Sequence, residues 1–157
     1  MLSHKKKRYG KKNPFIFNLS FICMLRQDKI NKLMGKNTGS KILVIDDSMT
    51  NNLLIEAILK REGYHVFTAF SAEEALKQLY KELPDLILLD ILMPKVDGFE
   101  FLKIIKSKDG LKDIPVIVIS AVKIPENLEK VKELGVQEFF PKPIDINALL
   151  TLISDII

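Results

Sequence analysis

The chain has no tryptophan and only one cysteine among 157 residues. Cys23 has no second thiol to pair with, which excludes an internal disulfide scaffold and points to a reducing, cytoplasmic compartment. Without tryptophan, near-UV signals come from tyrosine and phenylalanine. No transmembrane segment is expected. The mildly apolar stretch from Pro14 to Leu25 is interrupted by Asn18 and Ser20 and is too short to span a bilayer. It follows a basic start, as in a signal peptide, but no clear small-residue cleavage site comes after it. Internal repeats are absent, and the only biased segment is the basic tail. Hydrophobic residues still make up 47% of the chain, enough for one domain with an ordinary core.

Charge is unevenly spread. Residues 1–39 hold ten Lys/Arg against one Asp, a net +9, whereas residues 40–157 hold fourteen against nineteen acidic residues, a net −5. The formal +4 of the whole chain is therefore an acidic body with a basic tail. Lys5-Lys6-Lys7-Arg8 and Lys11-Lys12 suit nucleic acid or anionic lipid. They equally suit a disordered leader over 1–39, or an over-extended start with the true initiator at Met24 or Met34. Lys36-Asn37-Thr38-Gly39-Ser40 has linker composition.

From Lys41 a regular alternation begins. Short, β-branched apolar runs are predicted as buried parallel strands at 41–45, 64–68, 85–89, 116–119 and about 138–140. Helices are predicted between and after them. The first runs from about Thr50 to Glu62, with Leu53, Leu54, Ala57 and Ile58 on one face and Gly63 as its stop. The second is capped by Ser71 and ends near Glu82. The third opens at Asp97-Gly98 with Phe101, Leu102 and Ile105 inward. The fourth spans about Pro125 to Leu134 before Gly135, and the last starts near Asp145 and carries Leu149, Leu150, Ile153 and Ile157. Five βα units predict an α/β, doubly wound, flavodoxin-like (βα)5 fold with a five-stranded parallel sheet in the order 2-1-3-4-5.

Chemistry-bearing residues stand where these strands end. Asp46 and Asp47 follow the first strand, Asp90 the third, Ser120 the fourth, and Lys142 with Pro143 the fifth. Ligands of an open parallel sheet sit beyond the carboxyl ends of its strands. Three carboxylates there repel one another, by about 4 kcal/mol per pair at 4 Å and an effective dielectric near 20. A hard divalent cation such as Mg²⁺ offsets that, and Lys142 adds a further positive charge. The set suits a phosphoryl group, with one Asp as nucleophile. On repulsion alone, neutralising Asp46 or Asp47 is expected to raise the stability of the metal-free protein. Singly, each motif has a plain structural explanation: a turn, a cap at Ser48, a solvated strand end, an ordinary Lys-Pro loop. His65 is expected to face solvent on an edge strand. Of Phe139 and Phe140, one is expected in the core, because adjacent strand residues face opposite sides.

From Lys41 onward, about three quarters of the chain resembles the receiver domain of two-component response regulators, in the stand-alone, chemotaxis-regulator-like form. Ile45-Asp46-Asp47, Leu89-Asp90-Ile91-Leu92-Met93-Pro94, Asp97-Gly98, Ile119-Ser120-Ala121 and Lys142-Pro143 carry the resemblance, in order and at typical separations. It implies Asp90 as phosphoacceptor, Asp47 as a direct Mg²⁺ ligand, Asp46 acting mostly through water, and the Leu92 backbone carbonyl completing the protein ligands with Asp90. It further implies that Ser120 binds a phosphoryl oxygen, that Lys142 pairs with the phosphate, and that the Lys142–Pro143 bond is cis. Phe139 occupies the place of the rotating switch aromatic and lacks a hydroxyl.

The implied donor is a sensor histidine kinase or histidine phosphotransfer protein. The implied output is an effector protein on the face of the fourth helix, fifth strand and fifth helix, with no nucleic acid bound by the domain itself. The protein is then a phosphoacceptor with self-catalysed transfer and hydrolysis, not a turnover enzyme. A receiver segment of a hybrid kinase is the alternative within the family, suggested by Asp46-Asp47-Ser48-Met49-Thr50-Asn51. A Mg²⁺-dependent phosphatase with an aspartate nucleophile is the alternative from another class. Its usual second Asp, two residues after the nucleophile, is replaced here by Leu92.

Overall fold

The computed structural model describes residues 39–93, 98–121 and 133–157. The strands are β1 (Lys41–Ile45), β2 (His65–Ala69), β3 (Leu86–Asp90), β4 (Val116–Ser120) and β5 (Glu138–Pro141). The helices are α1 (Met49–Arg61), α2 (Ala72–Lys81), α3 (Gly98–Lys106) and α4 (Ile146–Ile156). The sheet order is β2-β1-β3-β4-β5 and every pairing is parallel, as the alternation predicts. β1 keeps its expected bounds, while the other strands differ by a residue, and the shift matters at two places: Asp90 and Ser120 are the last residues of β3 and β4 rather than the first residues beyond them. The helix expected over 125–134 and the Pro94 and Asp97 of the motifs lie outside the described residues, apart from Glu133 and Leu134. The leader over 1–39 also lies outside them, save Gly39.

β3 and β4 are buried along their whole length, because helices cover both faces of the sheet. Side chains alternate. Leu43, Ile45, Leu89 and Val118 join Ala75 and Leu79 of α2 and Phe101 and Ile105 of α3 on one face. Ile42, Val44, Leu88 and Ile117 join Ile55 and Leu59 of α1 and Leu149 and Ile153 of α4 on the other. Each such side chain contributes about 1.5–3 kcal/mol on burial, so this two-sided core holds the strand ends in register. Phe139 packs on the first cluster and Phe140 on the second, so both serve the core from opposite faces. His65 is exposed, as expected.

Helix ends follow the predicted chemistry. Ser48 Oγ accepts from Asn51 N at 3.4 Å, Ser71 Oγ from Glu74 N at 3.2 Å, and Asp145 Oδ1 from Ala148 N at 3.1 Å. The apolar face of α1 is a correction. Leu53 and Leu54 are exposed, Ala57 is exposed and Ile58 half-buried, while Asn52, Ile55 and Leu59 face the sheet. α1 carries two apolar stripes, and the one that wins contains a polar residue because Asn52 finds main-chain acceptors there. Its Nδ2 donates to the carbonyls of Asp46, at 2.7 Å, and Ala69, at 3.3 Å. Among the described residues no helix is long and apolar enough to cross a membrane.

Candidate phosphoacceptor and metal site

Parallel register brings the functional residues together. Ile45 pairs with Leu89, which sets Asp46 level with Asp90 across the β1–β3 boundary. Asp90 pairs with Ile119, and Ser120 with Pro141, which delivers Ser120 and Lys142 to the same edge. The Lys142 backbone N–H donates to the Ser120 carbonyl at 2.9 Å and extends that ladder by one bond. The Lys142–Pro143 peptide is cis, as expected.

Asp46, Asp47 and Asp90 each offer a carboxylate oxygen within 4.8 Å of the others. Asp46 and Asp90 are buried, and Asp47 is exposed at the rim. Lys142 bridges the two buried acids: its Nζ lies 2.7 Å from Asp46 Oδ2 and 2.5 Å from Asp90 Oδ2. Burial pulls the Lys142 pKa down, but the hydrogen bonds and charges of Asp46 and Asp90 outweigh it and hold the ammonium above its ordinary value. Asp46 has further donors. Its Oδ1 accepts from Ser48 N at 2.8 Å and Asn51 Nδ2 at 3.2 Å, and its Oδ2 from Asn51 Nδ2 at 3.0 Å. Repulsion among the acids is thus already offset at Asp46 in the protein itself, which sequence reasoning credited chiefly to a cation.

Asp90 Oδ1 accepts from the Leu92 backbone N–H at 2.9 Å, while the Leu92 side chain is half exposed. Ser120 Oγ is fully buried and has no hydrogen-bond partner among the described residues. A buried hydroxyl left unpaired costs about 1–3 kcal/mol. The residues fit a divalent cation: three carboxylates and one ammonium sum to a formal −2, and oxygen donors suit Mg²⁺. Gly98, the first residue of α3, packs against the main chain at the end of β3. Its N–H donates to Ile91 O at 3.1 Å, and a Cβ there would lie 2.8 Å from the Asp90 carbonyl oxygen and 2.6 Å from Ile91 Cα.

Asn51 and Asn52 are the residues that sequence reasoning missed. The signal was a pair of carboxamides opening a helix directly after the acidic pair, one of them at a core position of the helical period.

Comparison with known proteins agrees with this geometry. Residues 42–154 match the family model described as the response regulator receiver domain. The chain is 38% identical over 111 residues to sporulation initiation phosphotransferase F of Bacillus subtilis, covering 71% of this chain and 88% of that one. It is 40% identical over 107 residues to the response regulator PleD of Caulobacter vibrioides, covering 68% of this chain but only 24% of the relative. The fold superposes on the chemotaxis protein CheY4 of Vibrio cholerae with a TM-score of 0.72 at 29% identity, over 76% of this chain and all of that one. The chain therefore belongs to the response regulator receiver domain family, as a phosphoacceptor receiver of two-component signalling.

Proposed function

We propose that Asp90 is the phosphoacceptor. The observation that carries this is its placement: buried at the end of β3, against the Lys142 ammonium and between Asp46, Asp47 and the unpartnered Ser120 hydroxyl. A carboxylate oxygen of Asp90 attacks the phosphorus of a phosphohistidine on a sensor kinase or phosphotransfer protein. The O–P bond forms as the P–N bond breaks, and the imidazole leaves with the electron pair and takes a proton from solvent. Lys142 shifts from the carboxylates to a phosphoryl oxygen, and Ser120 gives that group the hydrogen bond its hydroxyl lacks. Asp47, Asp90 and the Leu92 carbonyl would hold Mg²⁺, with Asp46, the more heavily hydrogen-bonded of the two buried acids, acting through water. Mg²⁺, when bound, neutralises charge on the phosphoryl oxygens during transfer. Water later hydrolyses the acyl phosphate in the same cleft.

The donor docks beside the acids. Met49, Leu53 and Leu54 of α1 are 65%, 58% and 57% exposed, an apolar surface next to Asp46 and Asp47 that suits a helical partner. The output face is formed by β5, α4 and the segment before β5, with Phe139 as its switch aromatic. Residues 40–157 make up the receiver and 1–39 a basic leader outside it. The domain itself binds no nucleic acid, given its net −5, and it works in the cytoplasm. Intact mass after incubation with acetyl phosphate and Mg²⁺ tests the assignment. Wild type should gain one phosphoryl group, lose that gain on chelation, and Asp90→Asn should gain none. Equal incorporation in both proteins removes Asp90 from the role.

A further inference from the structure

The acidic pair after β1 is followed at once by α1, and two consecutive carboxamides of that helix reach back to the same residue. Asn51 is half-buried and its Nδ2 contacts both carboxylate oxygens of Asp46, at 3.2 and 3.0 Å. Asn52 is 1% exposed, and its Nδ2 takes the Asp46 backbone carbonyl at 2.7 Å. It also takes the Ala69 carbonyl at 3.3 Å, which already accepts the Asp46 N–H at 3.2 Å. Asp46 is therefore gripped at its side chain, its N–H and its carbonyl. The grip comes at a cost: Asn52 Oδ1 is buried without a partner among the described residues. The two carbonyl contacts seat the amide at the α1–sheet interface, but the unpaired oxygen is a cost that an apolar residue would not carry. Strain or unsatisfied polarity kept next to a reacting centre is the mark of a group held for position.

We propose that Asn51 and Asn52 are positioning residues that fix Asp46, one through its carboxylate and the other through its main chain, and so set the affinity of the acidic cluster for a divalent cation. The proposal rests on the cation reading above. The grip acts both before and after a phosphoryl group arrives. Lys142 is the donor on Asp46 that also serves Asp90, and once it turns to a phosphoryl oxygen, Asn51 and Ser48 N–H remain to keep Asp46 aimed.

The test is calorimetric titration with Mg²⁺ alone, with no phosphoryl donor, on wild type, Asn51→Ala and Asn52→Leu, together with melting in chelator. Asn52→Leu exchanges one unpaired buried acceptor, its own Oδ1, for another, the Asp46 carbonyl, so its metal-free melting temperature should stay close to wild type. Asn51→Ala lies at the half-buried rim and should also fold. Both should bind Mg²⁺ about tenfold more weakly, the effect of one lost hydrogen bond near a charged group. Wild-type affinity in both variants overturns the proposal. So does an affinity loss seen only where the metal-free melting point falls by more than about 10 °C, which would make the amides structural. A wild type that takes up no Mg²⁺ overturns the cation reading itself, and the positioning role with it; variants that match a Mg²⁺-binding wild type overturn only the latter.

Discussion

Lys142 and Asp90, 52 positions apart in the chain, meet as an ammonium and a carboxylate 2.5 Å apart at the end of the sheet. The contact exists because β3, β4 and β5 are neighbours in parallel register, and it makes Lys142 the internal counter-ion of a site whose acids otherwise face one another.

Removing that counter-ion should destabilise the metal-free protein. Lys142→Gln is expected to lower stability by roughly 1–3 kcal/mol, the cost of leaving a buried charged group without its partner. Asp46→Asn should also lower the melting temperature, since it weakens the bridge, against the rise expected from repulsion alone. The Lys142 pKa is raised in the folded state, so its stabilisation is complete below the unfolded value near 10.4 and is lost as pH rises through the folded value. The melting-temperature gap between wild type and Lys142→Gln should be constant from pH 7 to about 10 and shrink above it. A gap that stays constant through about pH 11 would assign the effect to another group.

Gly98→Ala should impair both fold and chemistry. The added methyl meets main-chain atoms, 2.6 Å from Ile91 Cα and 2.8 Å from Asp90 O, which cannot rotate away. Overpacking of this kind costs about 1–3 kcal/mol. Because the displaced carbonyl belongs to Asp90, phosphorylation by acetyl phosphate should slow even in the folded fraction. Urea midpoints and initial rates measured on the same sample separate the two, and unchanged values for both would mean that α3 retreats freely.

Leu92 should act as an apolar guard on the acyl phosphate. Its side chain is 50% exposed beside Asp90 while its N–H is tied to Asp90 Oδ1. Leu92→Asn gives an attacking water a hydrogen-bonding group and should shorten the phosphoryl half-life roughly tenfold to a hundredfold. Mg²⁺ affinity should not change, because only the backbone carbonyl is offered to the metal. A longer half-life in the variant, or a wild type that turns over within seconds, contradicts the guard.

The leader should be dispensable. All five strands and the site residues lie between Lys41 and Pro143. A chain beginning at Gly35 should match the full chain in denaturant midpoint and in phosphorylation rate. A clear loss in either measurement would show that residues 1–34 contribute to the domain.

Much of this molecule is determined by sequence alone. Runs such as Leu86-Ile87-Leu88-Leu89, of strand length and alternating with helical periods, predict strands buried on both faces of a parallel sheet. A parallel sheet then places whatever stands at each strand's end at one edge, so Asp46, Asp47, Asp90, Ser120 and Lys142 are legible as a group in the sequence. What only the tertiary structure decided lies in the contacts between these residues. α1 offers apolar residues on two faces, and periodicity favoured Leu53, Leu54, Ala57 and Ile58. The buried face is set instead by Asn52, whose amide finds two main-chain carbonyls at the ends of β1 and β2. Helical period counts apolar residues and is blind to hydrogen bonds made across the fold. The same blindness hid the Lys142 bridge: charge counting foresaw a cation among the acids, but which carboxylates share the ammonium depends on side-chain reach across three strands, and that is a property of the assembled sheet.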